Sequence, residues 1–120
     1  MPQYMLLIYS PAEGAASWVA LDEQMPRWDA YTRELAQAGL LVGSSQLASI
    51  ETATTVRVRD GETQIIDGPF ATTKELLAGY YMIDAPDLDT ALAYAARVPH
   101  IDYGSVEVRP VVSGASHHNT

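Results

Sequence analysis

Residues 4–9 read Tyr-Met-Leu-Leu-Ile-Tyr, and residues 76–83 read Leu-Leu-Ala-Gly-Tyr-Tyr-Met-Ile. Successive side chains of an extended chain point to opposite faces, so each stretch places apolar groups on both faces of a strand. Such a strand is stable only where both faces of its sheet are covered. The two stretches therefore predict central strands, with helices packed on one sheet face and another apolar surface on the other.

The segment between these strands begins with a predicted loop and helix. Residues 10–17 are rich in Pro, Gly, Ala and Ser and predict a loop. The helix is expected to start at Asp22 as N-cap, with Pro26 in its first turn, and to end at Gly39. Its apolar stripe comprises Trp28, Tyr31 or Thr32, Leu35 and Ala38. Residues 40–47 predict the next strand.

A hairpin, a second helix and a last strand follow in the sequence. Residues 54–59 alternate between apolar and polar, Asp60-Gly61 supplies a tight turn, and residues 62–66 form the returning strand. The second helix is predicted after Asp87 by apolar residues at helical spacing, namely Leu88, Ala91, Leu92, Ala95 and Ala96. Residues 103–112 predict the closing strand, with Val106 and Val108 on one face.

This order predicts an α+β fold of ferredoxin-like type, a split βαβ pair with an inserted β-hairpin. The chain of 120 residues has room for one domain, which we place at residues 1–112, with 113–120 as a flexible tail. The uncovered apolar sheet face predicts a homodimer, because a twofold axis makes such a surface self-complementary.

Composition disfavours several classes of partner and chemistry. Fifteen acidic against seven basic residues give a net charge of -8, which disfavours nucleic acid and anionic membranes. The absence of cysteine removes disulfides and thiolate chemistry and fits a cytoplasmic protein. The short apolar run at residues 4–9 is expected to be a strand and neither a signal peptide nor a spanning segment. The sequence contains no phosphate-binding glycine loop, H-E-x-x-H or G-x-S-x-G motif. We predict neither a metal nor a cofactor.

The most distinctive segment is Asp-Gly-Pro-Phe at residues 67–70. Asp67 is a candidate general base or ligand for a substrate hydroxyl, and the alternative is a side-chain cap of a turn. Gly68 and Pro69 are typical of a turn, with Phe70 as a core plug. Lys74 and Glu75 complete a candidate acid–base set that binds ligand, or else form a solvated surface pair.

Four further side chains are candidates for the site. Tyr80 and Tyr81 lie on opposite strand faces, so one enters the core while the other faces the cleft between two sheets, where a phenol can bind ligand. His100 titrates near neutral pH and is a candidate catalytic group, with a solvent-exposed loop residue as the alternative. Arg109 can pair with a ligand carboxylate, or balance acidic neighbours on an exposed sheet.

The chain resembles the YCII-related proteins, specifically the subgroup named for its DGPF motif. The resemblance is carried by residues 4–9, 52–57, 67–70, 73–75, 79–81 and 106–110. It implies ferredoxin-like dimers whose sheets pack face to face into an α+β barrel. It also implies relatives that act on small aromatic compounds, and an association with sigma-factor pathway proteins. The histidine that recurs in the family's first helix has no counterpart here, because the histidines are His100, His117 and His118.

Three functions follow as hypotheses. The first is a dimeric protein that binds a small, aromatic molecule in the cleft between the sheets and works in a sigma-factor pathway. The second is a cofactor-independent enzyme in which Asp67 or His100 moves a proton on a small polar substrate. The third is a protein–protein interaction module that uses the acidic surface.

Overall fold

The computed structural model describes residues 1–11, 14–48, 52–69, 75–101 and 104–112, and only the backbone of residues 14–24. The elements in chain order are β1 (Gln3–Pro11), α1 (Gly14–Gln37), β2 (Leu41–Gln46), β3 (Thr54–Arg59), β4 (Glu62–Asp67), β5 (Glu75–Asp84), α2 (Leu88–Ala95) and β6 (Ser105–Pro110). Within the described ranges, no helix is both long and apolar enough to cross a membrane.

Four strands form one antiparallel sheet in the order β2-β5-β1-β6. The two strands that are apolar on both faces, β1 and β5, lie at its centre. The strand order and the two intervening helices are those of a ferredoxin-like split βαβ fold, which confirms the predicted fold class.

The inserted hairpin pairs β3 with β4 in a separate two-stranded sheet. Its turn uses positive φ at both central residues, 54° at Asp60 and 78° at Gly61. This backbone matches the twist of a two-residue hairpin and favours glycine at the second position. The predicted hairpin is confirmed.

One face of the larger sheet carries the hydrophobic core. Leu6 lies opposite Tyr81, and Tyr4 opposite Ile83, and all four are buried. Leu35 of α1 packs against them in the same cluster of buried residues. The opposite face of the central strands is also apolar, since Leu7 lies opposite Tyr80 and Met5 opposite Met82, and all four are half-buried.

The first helix departs from the prediction at its start. It begins at Gly14 and carries Pro26 inside, so the predicted loop at residues 10–17 and the N-cap at Asp22 are wrong. Ala15, Ala16 and Ala20 are strong helix formers, and they outweigh the Gly and Ser that indicated a loop. The end is as expected, because Gly39 follows the helix with φ of 76°.

The two helices are joined by polar contacts at their edges. The Tyr31 hydroxyl donates a hydrogen bond of 2.8 Å to the Tyr94 carbonyl, and Arg97 forms an ion pair with Glu34. Asp87 caps α2 by accepting a bond from the Thr90 amide at 2.8 Å. The Tyr31 and Glu34 contacts join α1 to α2 and to the residues just after it, whereas the Asp87 cap stabilises the start of α2 itself.

Candidate functional site

Gly68 has a structural role in the turn that follows β4. Gly68 has φ of 106°, a conformation that favours glycine. Its amide donates to the Ala53 carbonyl at 2.8 Å, and its own carbonyl accepts from the Thr55 hydroxyl at 2.8 Å. Asp67 is exposed, and its side chain forms no hydrogen bond or ion pair within the described residues. No cap by Asp67 is formed there.

Lys74 and Phe70 lie outside the described residues. Glu75, the next member of the predicted acid–base set, begins β5 opposite Pro11 and is exposed. Burial lowers the pKa of His100, and the negative charge of Glu75 opposes this effect by raising that pKa. Glu75 and His100 therefore belong to the same end of the sheet.

His100 is fully buried, with 1% of its surface exposed, so the expectation of an exposed loop side chain is wrong. The reason is a tertiary hydrogen bond. Its Nε2 lies 2.8 Å from the carbonyl oxygen of Tyr9, on strand β1. Because a carbonyl only accepts, Nε2 carries the proton, and in the neutral ring Nδ1 is then the basic nitrogen. Burial lowers the pKa of His100, while the Tyr9 hydrogen bond and the Glu75 charge raise it.

Gly104 provides the space in which His100 lies. A Cβ atom at this position would overlap the imidazole and lie 2.6 Å from the Tyr9 oxygen. That distance is shorter than any normal contact, and the Tyr9 oxygen belongs to the backbone of a paired strand. A side chain at Gly104 would therefore displace the His100 ring from its hydrogen bond.

Ring contacts connect His100 through Trp28 to Tyr81 and Tyr31. The Trp28 ring lies 5.5 Å from the His100 ring and is stacked at 6.3 Å from Tyr81. Tyr31 meets Tyr81 edge-on at 5.2 Å. We call Trp28, Tyr31, Tyr81 and His100 the histidine–aromatic cluster. Trp28 is only half-buried, so the cluster reaches the surface at this residue.

Thr32 is hydrogen-bonded to two residues of the cluster. Thr32 Oγ1 donates to the Trp28 carbonyl at 2.9 Å and lies 2.6 Å from the Tyr81 hydroxyl. Since the Thr32 proton is engaged, Tyr81 donates to Thr32. Burial raises the pKa of Tyr81, with Thr32 opposing and Asp29 adding to that rise. Burial also raises the pKa of Tyr31. Both phenols are therefore neutral at physiological pH.

The remaining candidates lie on the opposite sheet face. Tyr80 is half-buried opposite Leu7, which settles the face of each tyrosine: Tyr81 enters the core and Tyr80 does not. Arg109 is exposed, with its Nε 3.8 Å from Glu107 Oε2. The Tyr9 hydroxyl lies 3.5 Å from the other Glu107 oxygen. Arg109 therefore already has an acidic neighbour.

The structure thus divides the predicted site residues. His100 and Tyr81 belong to the histidine–aromatic cluster, and Glu75 is exposed but acts on His100 through its charge. Tyr80 and Arg109 lie across the sheet, and Asp67 ends a strand of the separate hairpin. Sequence reasoning treated Trp28 as a core residue and did not identify Thr32 or Gly104 as part of a site. The spacing of Trp28 and Thr32 by one helical turn was the available signal. Within the described residues, no three acidic or histidine side chains are grouped so as to hold a metal ion.

Comparison with known proteins places this fold in a family. The model of the YCII-related domain matches residues 2–114. An uncharacterized protein of Rhizobium meliloti is 37% identical over 112 residues, covering 90% of each chain.

A solved structure with a similar fold is 5-chloro-2-hydroxyhydroquinone dehydrochlorinase of Burkholderia phenoliruptrix, in complex with 2,5-dihydroxybenzoquinone. It superposes with a TM-score of 0.58 at 11% identity, covering 97% of this chain and 99% of that one. At this identity the likeness concerns the fold. The family match and the Rhizobium relative together show that the chain belongs to the YCII-related family.

Proposed function

We propose that the protein binds a small aromatic molecule bearing ring oxygens at the histidine–aromatic cluster. The observation that carries this proposal is His100, buried and neutral, with Nε2 held by Tyr9 and its ring against Trp28. Aromatic walls supply stacking area for a flat ligand, and an imidazole supplies a polar group that fixes its orientation. The related fold that holds 2,5-dihydroxybenzoquinone supports the same class of ligand.

Proton transfer is the chemistry that this arrangement supports best. A neutral imidazole whose Nε2 donates to a backbone carbonyl takes up a proton at Nδ1. A phenolic hydroxyl brought to His100 would lose its proton to that atom, and Glu75 would stabilise the resulting charge on the ring. This is the cofactor-independent enzyme of the sequence-based hypotheses, with His100 in the role of base. Among the described residues, Asp67 has no hydrogen bond or ion pair that supports that role.

Calorimetric titration tests the binding proposal. We expect hydroquinone and 2,5-dihydroxybenzoquinone to bind the wild-type protein, and His100→Gln to weaken binding roughly tenfold through loss of one polar contact. Tyr80→Phe, on the other sheet face, is the matched control and should bind as wild type. Circular dichroism establishes that each variant is folded. Absence of binding to the wild type, or equal affinity in His100→Gln, would refute the proposal.

We also propose that the chain forms a homodimer through the open sheet face. Leu7, Tyr80, Met5 and Met82 form a continuous apolar set across the two central strands, and a second copy covers such a surface by symmetry. A cleft between the two sheets stays the predicted alternative location for a ligand, with Tyr80 and Arg109 as the groups that would line it.

A second candidate function is protein–protein interaction, including the predicted link to a sigma-factor pathway. One observation favours it. Val56, Val58 and Ile65 share one face of the hairpin and are 61%, 56% and 69% exposed. Large apolar side chains grouped at such exposure are typical of contact surfaces.

Replacing Val56 and Ile65 by Thr should abolish capture of a co-expressed sigma factor without weakening hydroquinone binding. Unchanged capture would refute this role.

A further inference from the structure

The indole nitrogen of Trp28 is a polar atom of the cluster whose hydrogen-bonding capacity is not used within the described part of the chain. Trp28 Nε1 is buried and has no hydrogen-bond partner. An indole N–H can only donate, so no proton rearrangement removes the deficit. Native proteins rarely leave a buried donor unpaired, and each such case calls for a specific explanation.

The hydroxyl groups of the cluster donate to other partners, and none of their oxygens accepts the indole proton. Tyr81 donates to Thr32, and Thr32 donates to the carbonyl of Trp28 itself. Tyr31 donates to the Tyr94 carbonyl on α2. These hydrogen bonds fix the hydroxyl groups in place. The proton therefore has no acceptor among the described residues, and a bound ligand can supply one.

We propose that Trp28 Nε1 donates a hydrogen bond to a ring oxygen of the bound ligand and thereby determines specificity for oxygen-bearing aromatics. The inference rests on the proposed function and adds the group that selects the substrate class. Trp28 is the half-buried member of the cluster, so part of its ring reaches the surface, while Nε1 lies just beneath it, buried. An aromatic ligand without an oxygen leaves the donor unpaired, as it is in the free protein, and therefore lacks this contribution to affinity.

Indole NMR spectroscopy tests the hydrogen bond directly. The chain has two tryptophans, so a uniformly ¹⁵N-labelled Trp18→Phe variant shows one indole resonance, that of Trp28. Titration with hydroquinone should move the indole proton downfield, as hydrogen bonding to oxygen does. The matched ligand is p-xylene, in which methyl groups replace the hydroxyls; it should not produce this downfield shift.

The affinity of a Trp28 variant for hydroquinone provides a second test. Trp28→Phe keeps an aromatic ring and removes the N–H. It should bind hydroquinone about tenfold more weakly than wild type, the effect of one lost hydrogen bond in a buried site, with little change for p-xylene. Circular dichroism and the melting temperature show whether the variant is folded.

The outcomes separate this inference from the function on which it rests. If hydroquinone binds in a His100-dependent manner but the Trp28 indole proton does not move, the inference is wrong and the binding function stands. If the free protein already shows a hydrogen-bonded indole with a cross-peak to water that persists with ligand, an internal water is the partner and the inference is again wrong. If hydroquinone does not bind at all, both fail.

Discussion

The two faces of the four-stranded sheet have similar apolar content but different surroundings. On the helix-covered face Leu6 and Ile83 are completely buried, and His100 is enclosed with them. On the open face Leu7 and Met82 are half-buried, with Arg109 and Glu107 exposed at the edge. Alternation in a strand fixes which residues share a face but not what covers it. The tertiary arrangement alone gives the helix-covered face its buried polar groups.

The comparison can be tested by making the same substitution at Tyr80 and at Tyr81. This test should give the largest effect. Tyr81→Glu places a carboxylate in the core and removes an aromatic side chain, which should lower the free energy of unfolding by more than about 4 kcal/mol. Tyr80→Glu places the same charge on the open face. It should leave the fold intact and halve the molar mass measured by light scattering, because the charge would be buried only between two copies.

Urea denaturation and light scattering on both variants provide the measurement, with Tyr80→Phe as the control that keeps the apolar surface. A folded, dimeric Tyr80→Glu protein would contradict the proposed dimer interface. Similar unfolding free energies for the two glutamate variants would contradict the assignment of the faces themselves.

A second difference between the faces is the titratable group on the helix-covered side. Burial holds the pKa of His100 below its ordinary value of 6.5. Between the lowered pKa and 6.5 the unfolded chain binds more protons than the folded one, so stability decreases as pH falls through that window. Above about pH 6.5 the contribution is fully present. We expect the urea midpoint to fall between pH 7.5 and pH 5.5.

His100→Gln retains a side-chain donor for the Tyr9 carbonyl and does not titrate. Its urea midpoint should be nearly independent of pH over the same interval, whereas the carboxylate contributions, such as that of the Asp87 cap, whose pKa is lowered by its bonds to Thr90, are lost only at more acidic pH. An equal pH dependence in wild type and variant would show that His100 is not the group responsible.

The smallest effect is expected outside the larger sheet, at Asp67. Its carboxylate is exposed and makes no contact within the described residues, so Asp67→Asn should leave the melting temperature unchanged within about 1 °C. It should also leave hydroquinone affinity unchanged. A melting temperature lowered by several degrees would restore the cap hypothesis, and weakened ligand binding at unchanged stability would restore Asp67 as a site residue.

Local patterns in the sequence were sufficient for most of the fold. Apolar residues on both faces marked β1 and β5 as central strands, and Asp60-Gly61 marked the hairpin, because these signals act between neighbours in the chain. The start of α1 was missed because composition alone does not distinguish an Ala-rich helix with Gly and Ser from a loop. The candidate site was predicted less well, since it depends on contacts between distant segments.

The sequence by itself determined the α+β class, the strand faces and the presence of Tyr81 and His100 as candidates. Only the tertiary structure decided that His100 is buried, because its partner, the Tyr9 carbonyl, is 91 residues away along the chain. The same holds for Trp28, Thr32 and Gly104, whose roles arise where α1, β5 and the approach to β6 meet. Periodicity encodes the direction of a side chain, whereas the desolvation and hydrogen bonding that give it chemistry depend on which distant groups the fold brings against it.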